Sequence, residues 1–156
     1  MPPDELLPVV AELKSTQKQI CDLLEPLASG QDWQPRSGEW SLRFIAGHLA
    51  TSEMECFLER IERIASGEMP GFDYYSNDGY DFSNQGLLEW LHAWRDTRQT
   101  IFERLNGLPE SAWTLSGTHS SFGRITLMDV LESMHAHDQE HLEGLKSSLA
   151  KYPRSG

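Results

Sequence analysis

A clear helical pattern is present in the stretch Thr126-Leu-Met-Asp-Val-Leu-Glu-Ser-Met-His-Ala-His-Asp-Gln-Glu-His-Leu-Glu-Gly-Leu-Lys-Ser-Ser-Leu149. It opens with a capping-box pattern, Thr126 followed three residues later by Asp129, and the spacing predicts a helix over residues 126–151. Positions at three- and four-residue spacing form one face: Leu127, Val130, Leu131, Met134, His137, Asp138, His141, Leu145 and Leu149. An apolar stripe of this kind packs against other helices, so this helix needs helical partners.

Three further segments have the same periodicity and supply those partners. They cover residues 4–27, residues 41–65 and residues 84–105. Ser41 is the N-cap of the second segment, and Asn106-Gly107 is the stop signal that follows the third. No sustained alternation of apolar and polar residues occurs, although residues 111–122 could hold a short hairpin. The chain therefore predicts an all-α four-helix bundle, with residues 1–156 forming a single domain.

The connection between the second and third helices bears on the topology. Residues 67–83 can cross about 55 Å when extended at about 3.3 Å per residue, whereas a helix of 25 residues is only about 37 Å long. The second and third helices can therefore be parallel, joined by a long crossover. The crossover contains Phe72, Tyr74, Tyr75, Tyr80 and Phe82, which would either cover one end of the core or line a ligand pocket.

Charge and cysteine content restrict the class of protein. A formal net charge of −11 argues against nucleic acid and anionic membranes as partners, because both attract clustered cations. The segment Met1-Pro2-Pro3-Asp4-Glu5 has no feature of a secretion signal, and no apolar run is long enough to span a bilayer. Cys21 and Cys56 are expected to be reduced core thiols, which fits a cytoplasmic protein.

Two histidines on the apolar stripe of the last helix are the first candidates for chemistry. His137 and His141 are four residues apart, so both can direct a ring nitrogen at one ion, whereas His135 lies on another face. A third ligand could be His48, His92 or His119, of which His119 lies in the flexible stretch of residues 116–123, and geometry favours His48 only narrowly. Two core histidines without a metal, held by other polar groups, would explain the same pattern.

Several motifs together resemble the DinB-like family of metal-dependent enzymes. They are Trp-x-Pro from Trp33, then Gly-Glu-Trp-Ser-Leu and Ala-Gly-His-Leu-Ala-x-x-Glu through Glu53, and finally His-Asp-x-x-His-Leu from His137. The resemblance implies a four-helix bundle of up-down-down-up topology, often a homodimer. It also implies a divalent metal, zinc or nickel, bound by one histidine of the second helix and two of the last, here His48, His137 and His141.

The resemblance also implies a function. Members with known activity include bacillithiol and mycothiol S-transferases and a thiol-dependent maleylpyruvate isomerase. We therefore expect an enzyme that acts on a small-molecule substrate by activating water or a low-molecular-weight thiol, as a hydrolase or a thiol S-transferase. The alternative is a non-catalytic metal-binding or structural bundle. No catalytic residue is assigned.

Some residues near these motifs could take part in that function. Glu55 is a possible general base, and Asp138 could orient a ligand histidine or interact with another helix. The sequence from His137 to His141 also fits the inverted zinc-peptidase pattern H-x-x-E-H, although the chain is small for a peptidase with a substrate cleft. Three cations could hold an anionic thiol, but are expected to be solvated: Arg43, Arg95 and Arg98.

Overall fold

The helices form as the periodicity predicts, with adjusted ends. A computed structural model describes residues 3–153, so Met1 and Pro2 of the segment considered for secretion lie outside the described residues. The α-helices are α1 (Leu6–Leu24), α2 (Leu42–Ser52), α3 (Glu59–Ala65), α4 (Leu87–Asn106) and α5 (Leu127–Leu149). A π-helical segment, Glu53–Leu58, joins α2 to α3 without a break. We call the continuous helix of residues 42–65 the second bundle helix; α1, α4 and α5 are the first, third and last.

Local sequence explains where most helices begin and end. The Ser41 side chain accepts a hydrogen bond from the backbone N–H of Phe44, and Thr126 and Asp129 form the predicted capping box. The first helix ends earlier than predicted, at Leu24, and continues as the 3₁₀ helix Glu25–Gly30. Pro26 accounts for the change, because it has no N–H for the α-helical pattern.

The second and third bundle helices run in the same direction. Arg43, near the start of α2, donates to the carbonyl of Ser83 just before α4, at 3.1 Å. Glu62 in α3 pairs with Arg104 near the end of α4, at 2.9 Å. The starts of the second and third bundle helices therefore lie side by side, and so do their ends. The segment between these two helices returns along the length of the bundle. This confirms the up-down-down-up topology with its long crossover.

The core consists of two apolar clusters at successive levels of the bundle. One contains Leu6 and Leu13 of α1 together with Leu127 of α5, and the other contains Leu24 and Leu145 from the later parts of the same helices. The first and last helices are thus parallel as well. Between these levels the interior holds charged and histidine side chains, and the candidate site lies among them.

A small sheet accompanies the bundle. Its strands are β1 (Gly71–Phe72), β2 (Ser116–His119) and β3 (Gly123–Thr126), in the order β1-β2-β3, with β1 parallel to β2 and β2 antiparallel to β3. The hairpin expected within residues 111–122 is present but shifted toward α5, because Glu110–Thr114 forms a 3₁₀ helix. The sheet joins the crossover by hydrogen bonds to the segment that precedes α5, so these two connecting segments lie together on one side of the bundle.

Two details of packing complete the fold. A Cβ at position 47 would lie 2.5 Å from Cγ of Phe82, so glycine at this point of α2 lets the crossover aromatic pack against the helix. Phe72 and Phe82 are buried in the two core clusters, as the core-covering interpretation of the aromatic residues predicts. Within residues 3–153, no helix combines the length and apolar character that crossing a membrane requires.

Candidate metal centre

Three imidazole rings converge between the second bundle helix and α5. His48 lies in α2, and His137 and His141 lie one turn apart in α5. Their Nε2 atoms form an almost equilateral triangle: each pair of these three atoms is separated by 3.1 Å. The structure thus brings together the three histidines that the sequence analysis selected, and selects His48 over His92 and His119 as the third member. Their role as metal ligands stays a prediction.

The triangle fits a divalent ion in its dimensions and its protonation. Tetrahedral coordination with metal–nitrogen bonds of 2.0–2.1 Å separates two ligand nitrogens by about 3.3 Å, close to what is found. Burial lowers the pKa of His48, and burial with the neighbouring histidines lowers that of His137 to about 3 and that of His141 to about 4. Neutral imidazoles are the form that binds a metal.

Asn77 of the crossover sets the tautomer of His48. Its amide nitrogen donates to Ser52 Oγ and to the Tyr75 hydroxyl, both at 3.0 Å, which directs Oδ1 toward His48. Nδ1 of His48 lies 2.6 Å from that oxygen and must therefore carry the proton that it donates. The lone pair is left on Nε2, the atom that faces the other two histidines. Outer hydrogen bonds of this kind orient metal-binding histidines.

Aromatic rings fix the three imidazoles from outside. The Trp40 ring centroid lies 4.7 Å from that of His48 and 6.0 Å from that of His141, and Trp40 is nearly parallel to the latter. Phe57 contacts His137 edge to face at 5.6 Å. Packing on several sides restricts the rotamers of the histidines, so the triangle is held before any ligand arrives.

A buried ionic network lies behind the histidines. Arg98 of α4, 1% exposed, donates to Glu53 through Nε at 2.8 Å and to Asp138 through Nη1 at 2.7 Å, and Nη1 also donates to the Leu13 carbonyl. Burial acts to lower the pKa of Arg98, but the two carboxylates outweigh it and raise the pKa. The expectation of a solvated Arg98 is wrong: its network is internal and joins all four bundle helices.

The neighbour of His137, Asp138, belongs to this network. Burial raises the pKa of Asp138 to about 6, against the opposing effect of Arg98, since one guanidinium serves two carboxylates. Its contact is with another helix, one of the two roles that the sequence allowed.

The other two cations considered for a thiol form ion pairs away from the histidines. Arg43, whose side chain is 18% exposed and thus less solvated than expected, pairs with Asp32 at 2.9 Å, and Arg95 pairs with Glu25. Neither lines the cavity beside the histidines.

The remaining histidines lie apart from the triangle. His92 is exposed and near Asp96, and His135 contacts Glu12 at 3.0 Å, in agreement with a surface position. His119 differs from expectation: the sequence placed it in a flexible stretch, but it is 3% exposed in β2. Its Nδ1 accepts hydrogen bonds from the backbone of Ser121 and Phe122. One of its strand partners, Phe72 of β1, is distant in sequence, so local composition did not reveal this position.

A cavity of about 460 Å³ opens beside the triangle. His48 and His137 form part of its wall, and Tyr74, Tyr75 and Asn77 of the crossover form another part. The aromatic residues of the crossover therefore do both things that the sequence allowed: Phe72 and Phe82 complete the core, while Tyr74 and Tyr75 line a pocket. The volume suits a small molecule.

Two glutamates near the motifs have different surroundings. Glu140 is exposed and lines the cavity. Glu55, considered as a general base, accepts hydrogen bonds from the hydroxyls of Tyr75 at 3.0 Å and Tyr80 at 2.8 Å and does not line this cavity. Glu55 thus anchors the crossover.

Both cysteines are buried and free, as predicted. Burial raises the pKa of each thiol, so both are in the protonated form at neutral pH.

A four-helix bundle that directs three neutral histidines from two helices toward a cavity defines a class of protein: a helical bundle with a candidate metal centre. The chain belongs to the DinB superfamily, whose family model matches residues 12–145. This confirms the resemblance on which the three histidines were selected.

A solved structure agrees with this assignment. YfiT from Bacillus subtilis, described as a probable metal-dependent hydrolase with an unusual four-helix bundle topology, matches with a TM-score of 0.81 and 18% identity. The match covers 99% of this chain and 91% of that chain, and at this identity it shows the shared fold. No curated protein matches the sequence significantly.

Proposed function

We propose that this protein is a divalent-metal-dependent enzyme whose metal is bound by His48, His137 and His141. The observation that carries the proposal is the triangle of Nε2 atoms, 3.1 Å apart in each pair. Asn77 fixes the His48 proton on Nδ1, so His48 directs an unprotonated Nε2 into the triangle, which is the form of imidazole that binds a cation. A shared cation would satisfy all three nitrogens at once.

Zinc or nickel is the proposed ion, because imidazole ligands suit both. Three protein ligands leave a coordination position open, and the ion would supply Lewis-acid activation of a water or a thiol there. The chain's own residues shape what can reach that position. Tyr74 and Tyr75 restrict access from the crossover, and Glu140 lines the cavity as a carboxylate that can accept a proton.

The reaction proposed is hydrolysis or thiol S-transfer on a small molecule, with a low-molecular-weight thiol as cosubstrate in the second case. Among the described residues, neither buried cysteine offers a thiolate of its own, because burial raises the pKa of both. A transferred thiol would thus come from solution.

Metal analysis of untagged protein tests the centre. We expect about one equivalent of zinc or nickel. The His48→Ala variant should lose the metal, and the matched variant His135→Ala should keep it, because His135 lies outside the triangle. Retention of metal by His48→Ala and loss by His135→Ala would show that the ligands are assigned wrongly.

A screen of hydrolysis and thiol transfer over small electrophiles, with several cellular thiols, tests the activity. Turnover that disappears in His48→Ala supports an enzyme. A metal-loaded protein without turnover in any reaction would favour the alternative, a non-catalytic metal-binding bundle.

Compartment and assembly are part of the proposal. Two free cysteines fit the reducing cytoplasm. The homodimer implied by the family predicts a solution mass of twice 17.7 kDa, which light scattering measures directly.

A further inference from the structure

A second, smaller cavity of about 40 Å³ shares lining residues with the cavity beside the histidines, and none of the three histidines lines it. Arg60 of α3 and His119 of β2 line both cavities. The second bundle helix and the sheet thus bring a guanidinium and an imidazole to one place. We call this pair of side chains the donor end.

His119 presents a hydrogen-bond donor at the donor end. Its Nδ1 accepts from the backbone N–H groups of Ser121 at 3.0 Å and Phe122 at 3.3 Å, so the ring proton is on Nε2. Among the described residues, no acceptor is found for that N–H, and the ring lines both cavities. A ligand acceptor in the cavity can therefore receive this hydrogen bond.

Arg60 is a cation without a carboxylate partner within residues 3–153. It donates from Nη2 to the Asp73 carbonyl at 3.0 Å, and its guanidinium lies 5.4 Å from the centre of the Phe72 ring. Those contacts orient the side chain without an ion pair, and Glu55, Glu59 and Asp73 line a neighbouring surface pocket with it. In a chain with a net charge of −11, a guanidinium that faces a cavity without an acidic partner indicates an anionic ligand.

The acidic side chains differ between the histidine end of the cavity and the donor end. Asp78 and Glu140 line the larger cavity together with His48 and His137, and they do not line the smaller one. At the other end the acid is Asp129, whose Oδ2 accepts the backbone N–H of Thr126 in the capping box of α5. The donor end is therefore the favourable place for an anion.

We infer that the substrate is a small molecule with an oxyanion group, such as a carboxylate, which Arg60 and His119 bind while the rest of the molecule extends toward the metal centre. The inference rests on the proposed function and adds a substrate class to it. Phe57 and Phe122 line the cavity and offer apolar contacts to the rest of the substrate. Arg60 and His119 would act in specificity, since they select the charge of the substrate and set its orientation.

Benzoate and benzamide are suitable probes because they share a shape and differ in charge. Calorimetric titration of the full chain should give benzoate at least about tenfold tighter binding than benzamide, the range expected for a charge-assisted hydrogen bond. Phenyl phosphate, measured in parallel, shows which oxyanion the site prefers. Equal binding of benzoate and benzamide, or no binding of benzoate, would overturn the inference.

Substitutions test which side chains cause the preference for benzoate over benzamide. Arg60→Gln should abolish the preference for benzoate, and Arg60→Lys should restore part of it. The matched control is Arg63→Gln: Arg63 is on the same helix and also lies over Phe72, at 5.1 Å, but it is close to Glu59 and Glu68 and does not line the cavity. His119→Phe keeps a ring and removes the N–H, so it should weaken benzoate more than benzamide.

Titrations with EDTA and with zinc separate this inference from the proposed function. A preference for benzoate that persists in EDTA and needs Arg60 supports the donor end, whatever the metal content. A preference that appears only with zinc and survives Arg60→Gln would mean that the carboxylate binds the metal, which overturns the donor end and supports the metal centre.

Discussion

At the scale of single residues, the candidate site depends on side chains that have no catalytic character of their own. Asn77 uses both ends of its amide, and its carbonyl oxygen selects the tautomer of His48. The three histidines are neutral because they are buried and close together. The tautomer of His48 and the neutral state of the three histidines both favour binding of a cation by the Nε2 atoms. Because metal binding and stability report on these effects, both can be tested without knowledge of the substrate.

The Asn77→Ala variant should bind zinc about tenfold more weakly, because loss of the acceptor at His48 Nδ1 frees the ring to adopt the other tautomer. Competition with a chromophoric chelator measures the affinity. The control is Ser76→Ala, which removes a neighbouring cavity side chain that is exposed and does not contact His48. Equal affinity in wild type and Asn77→Ala would contradict the role of Asn77.

The metal-free protein should lose stability as the pH falls from 7 to 5. His137 has a pKa of about 3 in the folded state and about 6.5 when unfolded, so in this range the unfolded state binds more protons and gains from acid. The loss from His137 is about 2 kcal/mol at pH 5. Urea unfolding in EDTA at both pH values measures it. His137→Gln should remove this share and leave the share of His141, whose pKa burial lowers to about 4, whereas His92→Gln, on an exposed face, should leave the whole loss unchanged.

At the scale of elements, the second bundle helix carries much of the site. The π-helical segment Glu53–Leu58 lies between His48 and Arg60, and it supplies the buried Glu53 and Phe57. A π segment shifts the faces of a helix relative to a regular α-helix, so the residues after it point where α-helical periodicity alone would not place them. The network of Arg98 holds this segment against α4 and α5.

Loss of Arg98 should therefore destabilise the whole bundle. Arg98→Met leaves two buried carboxylates without a partner, and we expect a loss of about 3–5 kcal/mol in the free energy of unfolding. Arg104→Met is the matched change on the same helix, where the pair with Glu62 is half exposed, and it should cost at most about 1 kcal/mol. Urea denaturation compares them; similar losses in the two variants would show that the network contributes little.

At the scale of the whole molecule, the metal centre would join the second and last helices, which are far apart in sequence. An ion bound by His48 together with His137 and His141 closes a loop of about 90 residues and is lost on unfolding. Binding to the native state alone increases stability by mass action.

Zinc or nickel at a free concentration of 100 times Kd should add about 2.7 kcal/mol to the free energy of unfolding and raise Tm. His141→Ala should abolish this gain, whereas His135→Ala should retain it, since only the former belongs to the triangle. Calorimetry with and without metal gives the result. An unchanged Tm for the wild type would count against the metal centre.

Part of this protein could be predicted from the sequence, because the necessary signals are local. Helix positions follow from apolar periodicity, and the N-caps at Ser41 and Thr126 follow from residues three positions apart. His137 and His141 share a face by spacing alone, and the crossover had the length for parallel helices. Selection of His48 needed the family resemblance, since the spacing left three candidates.

The tertiary structure decided the rest, and the physical reason is the same in each case. Arg98 looked solvated because its partners, Glu53 and Asp138, are more than 35 residues away in sequence. Asn77 and His119 gave no signal for their roles because each acts through a distant helix or strand. The sequence by itself determined the helices, the N-caps at Ser41 and Thr126 and the shared face of His137 and His141. Packing determined which polar groups are buried together, and thus where the cavity has its charges.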